Sequence, residues 1–486
     1  MEPRFLIPVI VAAFLIVMGF SITGFLVCNT PPQRDFACEG CNVLIFTIDT
    51  LRADHLSSYG YFQETTPNID SLAREGTTFV NAFSQIPHTP PSHWSIFTGL
   101  YPYKHGKFTP SGNGSGLITL PDILGENGYV TGGFVSSKML RGFSNEFDYF
   151  NGEKERRVYR GPVMKRANET TGLVLSWLEE HATERFFLWV HYFDPHSPYN
   201  PPKDFDIYNY SKDPHYSDPR YGQTGFSRKG TIRDDIAKYD GEVRYTDENV
   251  GVVIGKLRDL GLEGRTLIIL LSDHGECFGE HNFSDFGYED RRRPCLFHGK
   301  TLYDEEVHIP LIIVNPKSPT KRVKIEDVVE TVDLLPTVLD ILGLKNTLET
   351  DGESLVSSME NGERTKDYAL LHTRPKRSGA LAMGIRTGKW KLVNMIPSDL
   401  DLEKEAAEQE GGNVNFTEEV GTEFEVKKFL FRVDEGEKKN FYDSEAKVAE
   451  NLEKRLKNVI PAGGFSETIE IDRQTEEILR TFGYIQ

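Results

Sequence analysis

The sequence predicts an α/β protein, with a mostly parallel β-sheet flanked by helices and a smaller C-terminal α+β subdomain with antiparallel strands. Short, continuous apolar runs alternate with helical periodicities along the first two thirds of the chain, which is typical of strands buried on both faces. Several of these runs end in polar residues, where parallel sheets bind their ligands. Beyond residue 345 the pattern changes to the alternation of half-buried antiparallel strands.

Five apolar runs are predicted to form the buried strands. They are residues 42–49 (NVLIFTID), the end of ITLPDILGENGYVTGGFVSS, RFFLWVHYFDPH, Thr266–Ser272 and VHIPLIIVNP. The segment LPDILGE is predicted to be a helix, and residues 240–261 a long amphipathic one. Strands that alternate with helices indicate crossover connections and hence a parallel or mostly parallel sheet.

The C-terminal part is predicted to be a separate subdomain at residues 346–486, after a main domain at 38–345. Its segment YALLHTRPKRSGALAMGIRTGKWKLVNM alternates like antiparallel strands. Residues 399–423 are acidic and poor in apolar side chains, so we predict a solvated loop. A last strand, an amphipathic helix and the tail EEILRTFGYIQ follow.

The N-terminus is predicted to be a membrane anchor within residues 1–30. Residues 5–27 form an uncharged stretch of 23 residues, which is long enough to span a bilayer and longer than the apolar core of a cleaved signal peptide. We expect a retained single span with the body on the extracytoplasmic side. Five glycosylation sequons in the body suit that side, at Asn113, Asn168, Asn209, Asn282 and Asn415.

The net charge limits the classes of partner that this protein can bind, and the cysteines suggest an oxidising compartment. The formal net charge is −18 with no basic cluster, which argues against nucleic acid as a partner. We predict a Cys277–Cys295 disulfide that restrains the polar segment between those residues. The chain has five cysteines. Cys38 and Cys41 form a CxxC pair, and a structural zinc on Cys38, Cys41, Cys277 and Cys295 is the alternative.

Polar residues that suit a metal site follow three of the predicted strands. Asp49 follows the first, His191 and His196 lie at the end of the third, and Asp273 and His274 follow the fourth. Because the carboxyl ends of parallel strands meet at one sheet edge, we expect Asp49, Asp273 and His274 to share one divalent cation. Zinc or manganese is favoured for these ligands, with calcium or magnesium as alternatives.

Thr89 is the candidate nucleophile. In PHTPPSHWSIFTGLYPYKHG it lies among prolines just before a predicted helix, where free N–H groups and the helix dipole favour an anion. Bound to the cation as a fourth ligand, its hydroxyl would have a lowered pKa and could attack an ester. The alternative is a proline-rich turn that only starts a helix.

Further basic side chains could hold an anionic substrate. Lys300 in FHGKTLYDEE, with His298 and His196, is assigned to substrate binding, and Lys300 and His196 also to catalysis. His93 is assigned to substrate binding beside Thr89. The substrate is expected to be an anionic ester, such as a lipid headgroup, a glycan or a small molecule.

The ordered set of motifs resembles the sulfatase branch of the alkaline-phosphatase superfamily. The matching pieces are IDTLRADHLSSYGY, TPNIDSLAREGTTFVNAFSQIPHTPPSHWSIFTGLYPYKHG, LPDILGENGYVTGGF, HYFDPHSPYNPP, YDGEVRYTDENVGVVIGKL, LSDHGECFGEH, HGKTLYDEEVHIPLII, TVDLLPTVLDILG and IRTGKWKLV. The resemblance implies an α/β fold, a bound divalent cation and ester displacement through a covalent enzyme intermediate. It places Asp49, Asp273 and His274 among the metal ligands.

By the same resemblance Thr89 stands at the family's nucleophile position, and Lys300 and His196 match residues that grip the transferred group. Four departures matter. The family has Cys or Ser, oxidised to formylglycine, where this chain has Thr89, and an Arg where it has His93. The second Asp of the family is Thr50 here. The family's Lys-x-His is absent, and Ser136 and Ser137 occupy that region. A secondary alcohol cannot yield the aldehyde, so formylglycine chemistry is not expected.

We therefore predict a membrane-anchored, metal-dependent hydrolase of phosphate or sulfate esters, with phospho(di)esters favoured. Three alternatives stay open: a true sulfatase that uses Thr89 directly, a transferase of phosphoethanolamine or phosphoglycerol type, and a catalytically silent surface protein that binds glycans.

Overall fold

The computed structural model describes residues 36–107, 116–151, 153–154, 164–226, 230–286, 294–318, 321–373, 380–397 and 426–459. In chain order, its strands are β1 (Asn42–Ile48), β2 (Thr77–Phe83), β3 (Val130–Val135), β4 (Tyr149–Phe150), β5 (Glu153–Lys154), β6 (Phe186–Tyr192), β7 (Thr266–Ser272), β8 (Cys277–Asn282), β9 (Pro294–Phe297), β10 (His308–Val314), β11 (Val323–Glu330), β12 (Tyr368–His372), β13 (Ala380–Thr387), β14 (Trp390–Pro397) and β15 (Lys427–Arg432).

Ten α-helices connect these strands, together with short 3-10 turns, within the described ranges. They are α1 (Pro67–Glu75), α2 (Thr89–Thr98), α3 (Pro102–His105), α4 (Leu120–Glu126), α5 (Ala167–Glu180), α6 (Ile232–Asp259), α7 (Asp304–Val307), α8 (Leu334–Ile341), α9 (Val356–Asn361) and α10 (Ala446–Val459).

A nine-stranded sheet forms the centre of the molecule, in the order β11-β2-β10-β7-β1-β6-β3-β4-β5. Its central strands β7, β1, β6 and β3 pair in parallel, whereas β10 and β5 are antiparallel to their neighbours. The mostly parallel sheet predicted from the sequence is therefore confirmed. The bounds of β7 agree with the predicted strand, while β2 and β11 were not predicted because their polar residues interrupt the apolar pattern.

Two apolar layers cover the faces of this sheet. Along β1, Val43 and Ile45 point into the layer that contains α2 and α8, and Leu44 and Phe46 into the layer that contains α5 and α6. Every residue of β1, β6 and β7 is buried, which explains why these strands are apolar throughout instead of alternating.

The C-terminal subdomain contains a second sheet, in which β12, β13, β14 and β15 are antiparallel in that order. Helix α10 packs on it through Ala449, Leu452 and Leu456. The antiparallel strands and the amphipathic helix are confirmed. The domain boundary at residue 345 stays a prediction.

Several expectations concern residues outside the described ranges. These are the anchor in residues 1–30, the acidic loop at 399–423, the C-terminal tail and the sequons at Asn113 and Asn415. Among the described helices, none combines the length and the apolar character needed to cross a membrane.

The cysteine pairing differs from the prediction. A disulfide joins Cys38 and Cys41, while Cys277 and Cys295 are buried free thiols. In the β8–β9 hairpin Cys277 lies opposite Phe297, two residues along the strand from Cys295, so the two cysteines are not direct cross-strand partners. The predicted Cys277–Cys295 disulfide is therefore wrong. The four-cysteine zinc site fails as well, because the Cys38–Cys41 disulfide uses two of its ligands.

Candidate active site

Four of the predicted site residues meet at the carboxyl edge of the central sheet. Ile48 of β1 pairs with Ser272 of β7, so Asp49 and Asp273, which follow them, emerge side by side. One carboxylate oxygen of each and a ring nitrogen of His274 lie within 4.8 Å of one another. All three side chains are buried.

Thr89 is brought to the same place by the start of helix α2. The helix begins at Thr89 itself, before the predicted helical segment SHWSIFTGL, because the first turn tolerates Pro90 and Pro91, whose missing N–H groups would have no partner there. The Thr89 Oγ1 atom lies 3.3 Å from His274 Nε2 and 3.5 Å from Asp49 Oδ2. The hydroxyl therefore faces the two carboxylates and the imidazole.

The orientation of the ligands leaves one atom of each side chain directed at a common point. Oδ1 of Asp273 accepts hydrogen bonds from the backbone N–H groups of Thr50 (3.3 Å) and His274 (2.9 Å), which leaves Oδ2. Nδ1–H of His274 donates to the Gly275 carbonyl at 3.0 Å, which assigns the tautomer whose Nε2 lone pair is available. Nε2 lies 3.5 Å from Asp273 Oδ2 and 3.7 Å from Asp49 Oδ1.

These free atoms fit a divalent cation. Among the described residues, Asp49 Oδ1 and Asp273 Oδ2 are buried without a hydrogen-bond partner, an arrangement that costs free energy unless a positive charge compensates it. Burial raises the pKa of Asp49 and, with the neighbouring Asp49 carboxylate, raises that of Asp273 to about 7. Burial also lowers the pKa of His274 to about 4, which keeps the imidazole neutral, as a metal ligand must be.

His191 was named at the end of the third strand, near the basic residues expected to hold an anionic substrate, but was not predicted beside the metal ligands. It lies in β6 beside β1, is fully buried, and places Nε2 3.6 Å from Asp49 Oδ2. Neither of its ring nitrogens has a hydrogen-bond partner among the described residues. A histidine near the end of an otherwise apolar buried strand was the available signal.

Two of the family departures, His93 and Thr50, lie behind the predicted metal ligands. Nδ1–H of His93 donates to the Thr89 carbonyl at 2.8 Å, and its Nε2 accepts from the Thr47 hydroxyl at 3.0 Å. Burial lowers the pKa of His93 to about 3 although Asp273 opposes this. Thr50 turns its hydroxyl back to the Asp49 carbonyl at 2.8 Å. His93 thus holds the backbone of Thr89, and its contact with substrate stays a prediction.

The remaining basic residues lie on one flank of the site. The His298 ring is 4.3 Å from the His274 ring and 5.1 Å from the His196 ring, between centroids. Nδ1 of His298 lies 2.9 Å from Glu276 Oε1. The Lys300 ammonium stands 5.6 Å from the centre of the Phe283 ring, so its grip on a substrate stays a prediction.

Comparison with known proteins gives a family match and several relatives. Residues 41–344 match the family model described as Sulfatase, and residues 294–411 match the model for the C-terminal part of N-sulphoglucosamine sulphohydrolase. Arylsulfatase K of Mus musculus is 24% identical over 421 residues, covering 75% of this chain and 73% of the relative. An ulvan-active sulfatase of Formosa agariphila is 25% identical over 372 residues, covering 68% and 67%.

Solved structures share the fold at low sequence identity. The phosphonate monoester hydrolase of Agrobacterium radiobacter superposes with a TM-score of 0.64 at 20% identity, covering 86% of this chain and 95% of that one. A protein in complex with its substrate D-glucosamine-2-N,6-O-disulfate gives 0.64 at 19% identity, covering 91% and 98%. These neighbours agree with the α/β sheet and the antiparallel C-terminal sheet described above.

Proposed function

This chain belongs to the sulfatase family, whose members are ester-bond hydrolases, and we propose that it hydrolyses phosphate esters, phosphodiesters in particular, with Thr89 as the nucleophile. One observation carries the proposal: the Thr89 hydroxyl faces the two carboxylates and the imidazole that fit a divalent cation, at 3.3 Å from His274 Nε2 and 3.5 Å from Asp49 Oδ2. Asp49, Asp273, His274 and Thr89 would hold that cation.

The cation, when bound, supplies the positive charge that lowers the pKa of the Thr89 hydroxyl and attracts the substrate anion. Thr89 Oγ then attacks phosphorus, a P–Oγ bond forms, and the bond from phosphorus to the leaving oxygen breaks. The Thr89 hydroxyl loses one proton and the leaving oxygen takes up one, and in the second step water loses one proton and Thr89 Oγ takes up one. Water next attacks phosphorus, the P–Oγ bond breaks, and the Thr89 hydroxyl and the phosphomonoester product are released. His298, whose ring lies 4.3 Å from that of His274, and His196, whose ring lies 5.1 Å from that of His298, would donate to the outer oxygens, where charge builds up.

The side chain at position 89 favours phosphorus over sulfur. Formylglycine, as its hydrate, carries two hydroxyls on one carbon, so loss of a proton from one can expel sulfate from the other. Threonine has a single hydroxyl, and a sulfated Thr89 would have to be cleaved by water at sulfur. A phosphorylated Thr89 needs only a second displacement of the same kind as the first.

Sulfate-ester hydrolysis is the second candidate, and the named relatives support it: arylsulfatase K, an ulvan-active sulfatase and a protein bound to a disulfated glucosamine. The phosphonate monoester hydrolase supports the first candidate. Both require an anionic ester at the same cation.

Paired assays with purified, metal-loaded protein separate the candidates. Turnover of bis-p-nitrophenyl phosphate well above that of p-nitrophenyl sulfate supports the phosphodiesterase, and the reverse order supports the sulfatase. Turnover of neither, with metal bound, supports a silent binding protein. Transfer of a phospho-group to a sugar or lipid acceptor in place of water supports the transferase.

We also propose that the body lies on the extracytoplasmic side, held by the N-terminal segment. The Cys38–Cys41 disulfide supports this, since such bonds persist in oxidising compartments. Protease accessibility in intact cells tests the side, and carbonate extraction of membranes tests the anchor.

A further inference from the structure

The two free cysteines of the described ranges, Cys277 and Cys295, belong to a cluster outside the active site. The Sγ atoms of Cys277 and Cys295 and one carboxylate oxygen of Glu306 all lie within 4.8 Å of one another, and all three side chains are buried. Cys295 Sγ is 3.7 Å from Glu306 Oε1 and 3.9 Å from Thr301 Oγ1. The three residues come from different elements, β8, β9 and α7, so the fold itself assembles the cluster.

We propose that Cys277, Cys295 and Glu306 form a second metal site, selective for zinc. This site would hold in place the loop that carries His298 and Lys300. Two sulfur donors and one carboxylate oxygen are a ligand set that zinc accepts, and sulfur discriminates against calcium, magnesium and manganese. The Thr301 hydroxyl donates to Glu306 Oε1, so zinc would replace the Cys295 thiol proton on that oxygen, and water completes a four-coordinate shell. On binding, zinc forms two bonds to sulfur and the two thiol protons leave to solvent.

The surroundings of the cluster suit a bound cation with anionic ligands. Two thiolates and one carboxylate around Zn²⁺ leave one net negative charge. Phe283 packs against both cysteines, and the Lys300 ammonium stands over the Phe283 ring at 5.6 Å from its centre. The backbone N–H groups of Gly299 (2.7 Å) and Lys300 (3.4 Å) donate to Glu306 Oε2.

The position of the cluster gives the metal a role. Cys277 follows Glu276, which lies 2.9 Å from His298, and Cys295 stands three residues before His298. The loop that carries His298 and Lys300 is therefore fixed at its start by Cys295 and along its length by Glu306. A zinc ion on these residues would set the distance between this loop and β8. It is separate from the active-site cation, whose ligands are Asp49, Thr89, Asp273 and His274.

Metal titration of the full chain with Co²⁺, read by absorption, tests the proposal. Cobalt bound by cysteine gives a near-ultraviolet charge-transfer band that carboxylate and imidazole ligands do not give. We expect the band in wild type and in Asp273→Asn, which lacks the active-site ion, and its loss in Cys277→Ser and Cys295→Ser. The Cys38→Ser/Cys41→Ser double variant is the matched control and should keep the band.

Metal analysis after zinc loading gives the stoichiometry. About two ions per chain are expected in wild type and about one in either Asp273→Asn or Cys277→Ser, if each site binds one ion. Glu306→Gln should keep the cobalt band but weaken zinc binding about tenfold, since one ligand loses its charge.

Wild-type protein serves as the decisive sample if the cysteine variants do not fold. Absence of the charge-transfer band in wild type overturns the proposal. An intact mass lower by two hydrogens beyond the Cys38–Cys41 bond, with neither Cys277 nor Cys295 alkylated after unfolding, also overturns it, because it shows a Cys277–Cys295 disulfide. Since Asp273→Asn removes only the active-site ion, a failure of the zinc site is distinguishable from a failure of the proposed phosphodiesterase.

Discussion

Two regions of this molecule bury carboxylates to the same extent but differ in whether every carboxylate oxygen has a hydrogen-bond partner. Asp240, on α6, is fully buried, and each of its oxygens has a partner: Oδ1 lies 2.7 Å from His55 Nδ1, and Oδ2 accepts from the hydroxyls of Tyr61 (2.6 Å) and Tyr210. Asp49 and Asp273 are as deeply buried, yet each keeps an oxygen without a hydrogen-bond partner among the described residues.

This difference in hydrogen bonding distinguishes a carboxylate that supports the fold from carboxylates that bind a metal ion. A buried carboxylate whose hydrogen bonds are complete stabilises the fold and needs no cation to compensate it. Two adjacent carboxylates with unused oxygens destabilise the fold until a cation binds. The Asp240 cluster is thus expected to matter for stability, and the Asp49–Asp273 pair for metal binding and catalysis.

The largest effect is expected at Thr89. Thr89→Ala removes the hydroxyl and leaves Asp49, Asp273 and His274, so metal should still bind while phosphodiester turnover falls by about a thousandfold or more, on the order of 4 kcal/mol in the barrier. Thr89→Ser should keep part of the activity, because a primary hydroxyl reaches the same position. The measurements are kcat and metal content, with intact-mass trapping of a phosphorylated Thr89.

Near-normal turnover by the alanine variant would show that water attacks the ester directly. The metal site would then stand, and the covalent step would be wrong.

Matched substitutions at the two carboxylate clusters sharpen the comparison. Asp273→Asn keeps the acceptor for the Thr50 and His274 N–H groups and removes the charge from Oδ2, so it should abolish metal binding and activity without lowering the stability of metal-free protein. Asp240→Asn should leave the metal content unchanged and destabilise the fold by about 2 kcal/mol or more, because it disrupts a complete buried network.

Denaturant unfolding in the presence of a chelator, with metal analysis of the same samples, gives both quantities. If Asp273→Asn unfolded more easily than wild type without metal, the distinction between the two clusters would fail.

The sequence predicted most of the site because strand ends can be recognised locally. Asp49, Asp273 and His274 each follow an uninterrupted apolar run, and a parallel sheet necessarily gathers such ends at one edge. Thr89 was found through its prolines, although the helix already starts at Thr89 and includes both prolines.

The rest depended on contacts between residues distant in sequence. The role of His93 behind Thr89 is set by its bond to Thr47, 46 positions away, which no local pattern contains. The cysteine pairing failed for a similar reason, since the register of β8 and β9 decides which residues oppose each other. Strands β2 and β11 were not predicted, because their polar residues interrupt the apolar pattern by which a strand is recognised.

Substituting either of two buried histidines is expected to have a smaller effect than substituting Asp273 or Asp240. One histidine contacts Asp49 and the other contacts Asp240, so they test the same comparison. His191→Phe removes two ring nitrogens that have no partner among the described residues, so metal-free protein should be no less stable than wild type. The variant should bind the divalent cation about tenfold more weakly, because the imidazole next to Asp49 is lost. His55→Phe breaks the bond to Asp240 and should destabilise the fold while the metal content stays. Unchanged metal affinity in His191→Phe would remove this residue from the site.

The smallest effect is a pH dependence at Glu242, a buried carboxylate that lacks both a full set of partners and a cation. Oε1 accepts from the Asn200 N–H group at 3.1 Å and from Arg166 at 3.1 Å, and Oε2 has no partner among the described residues. Burial and then the charge of Asp194 raise its pKa to about 8, so Glu242 is protonated in the folded protein at neutral pH but ionised in the unfolded chain. The folded state therefore holds the extra proton, and the contribution to stability falls as pH rises from about 4.5 to about 8, by a few kcal/mol at most.

Glu242→Gln mimics the protonated form and should remove this fall, so the stability gained by the variant relative to wild type should grow across that window. Glu248→Gln, at an exposed position of the same helix, is the control and should give a flat difference. Chemical denaturation of the three proteins between pH 5 and pH 9, with metal kept constant, measures the free energy of unfolding. If the difference in this free energy between Glu242→Gln and wild type does not change with pH, Glu242 is ionised in the fold.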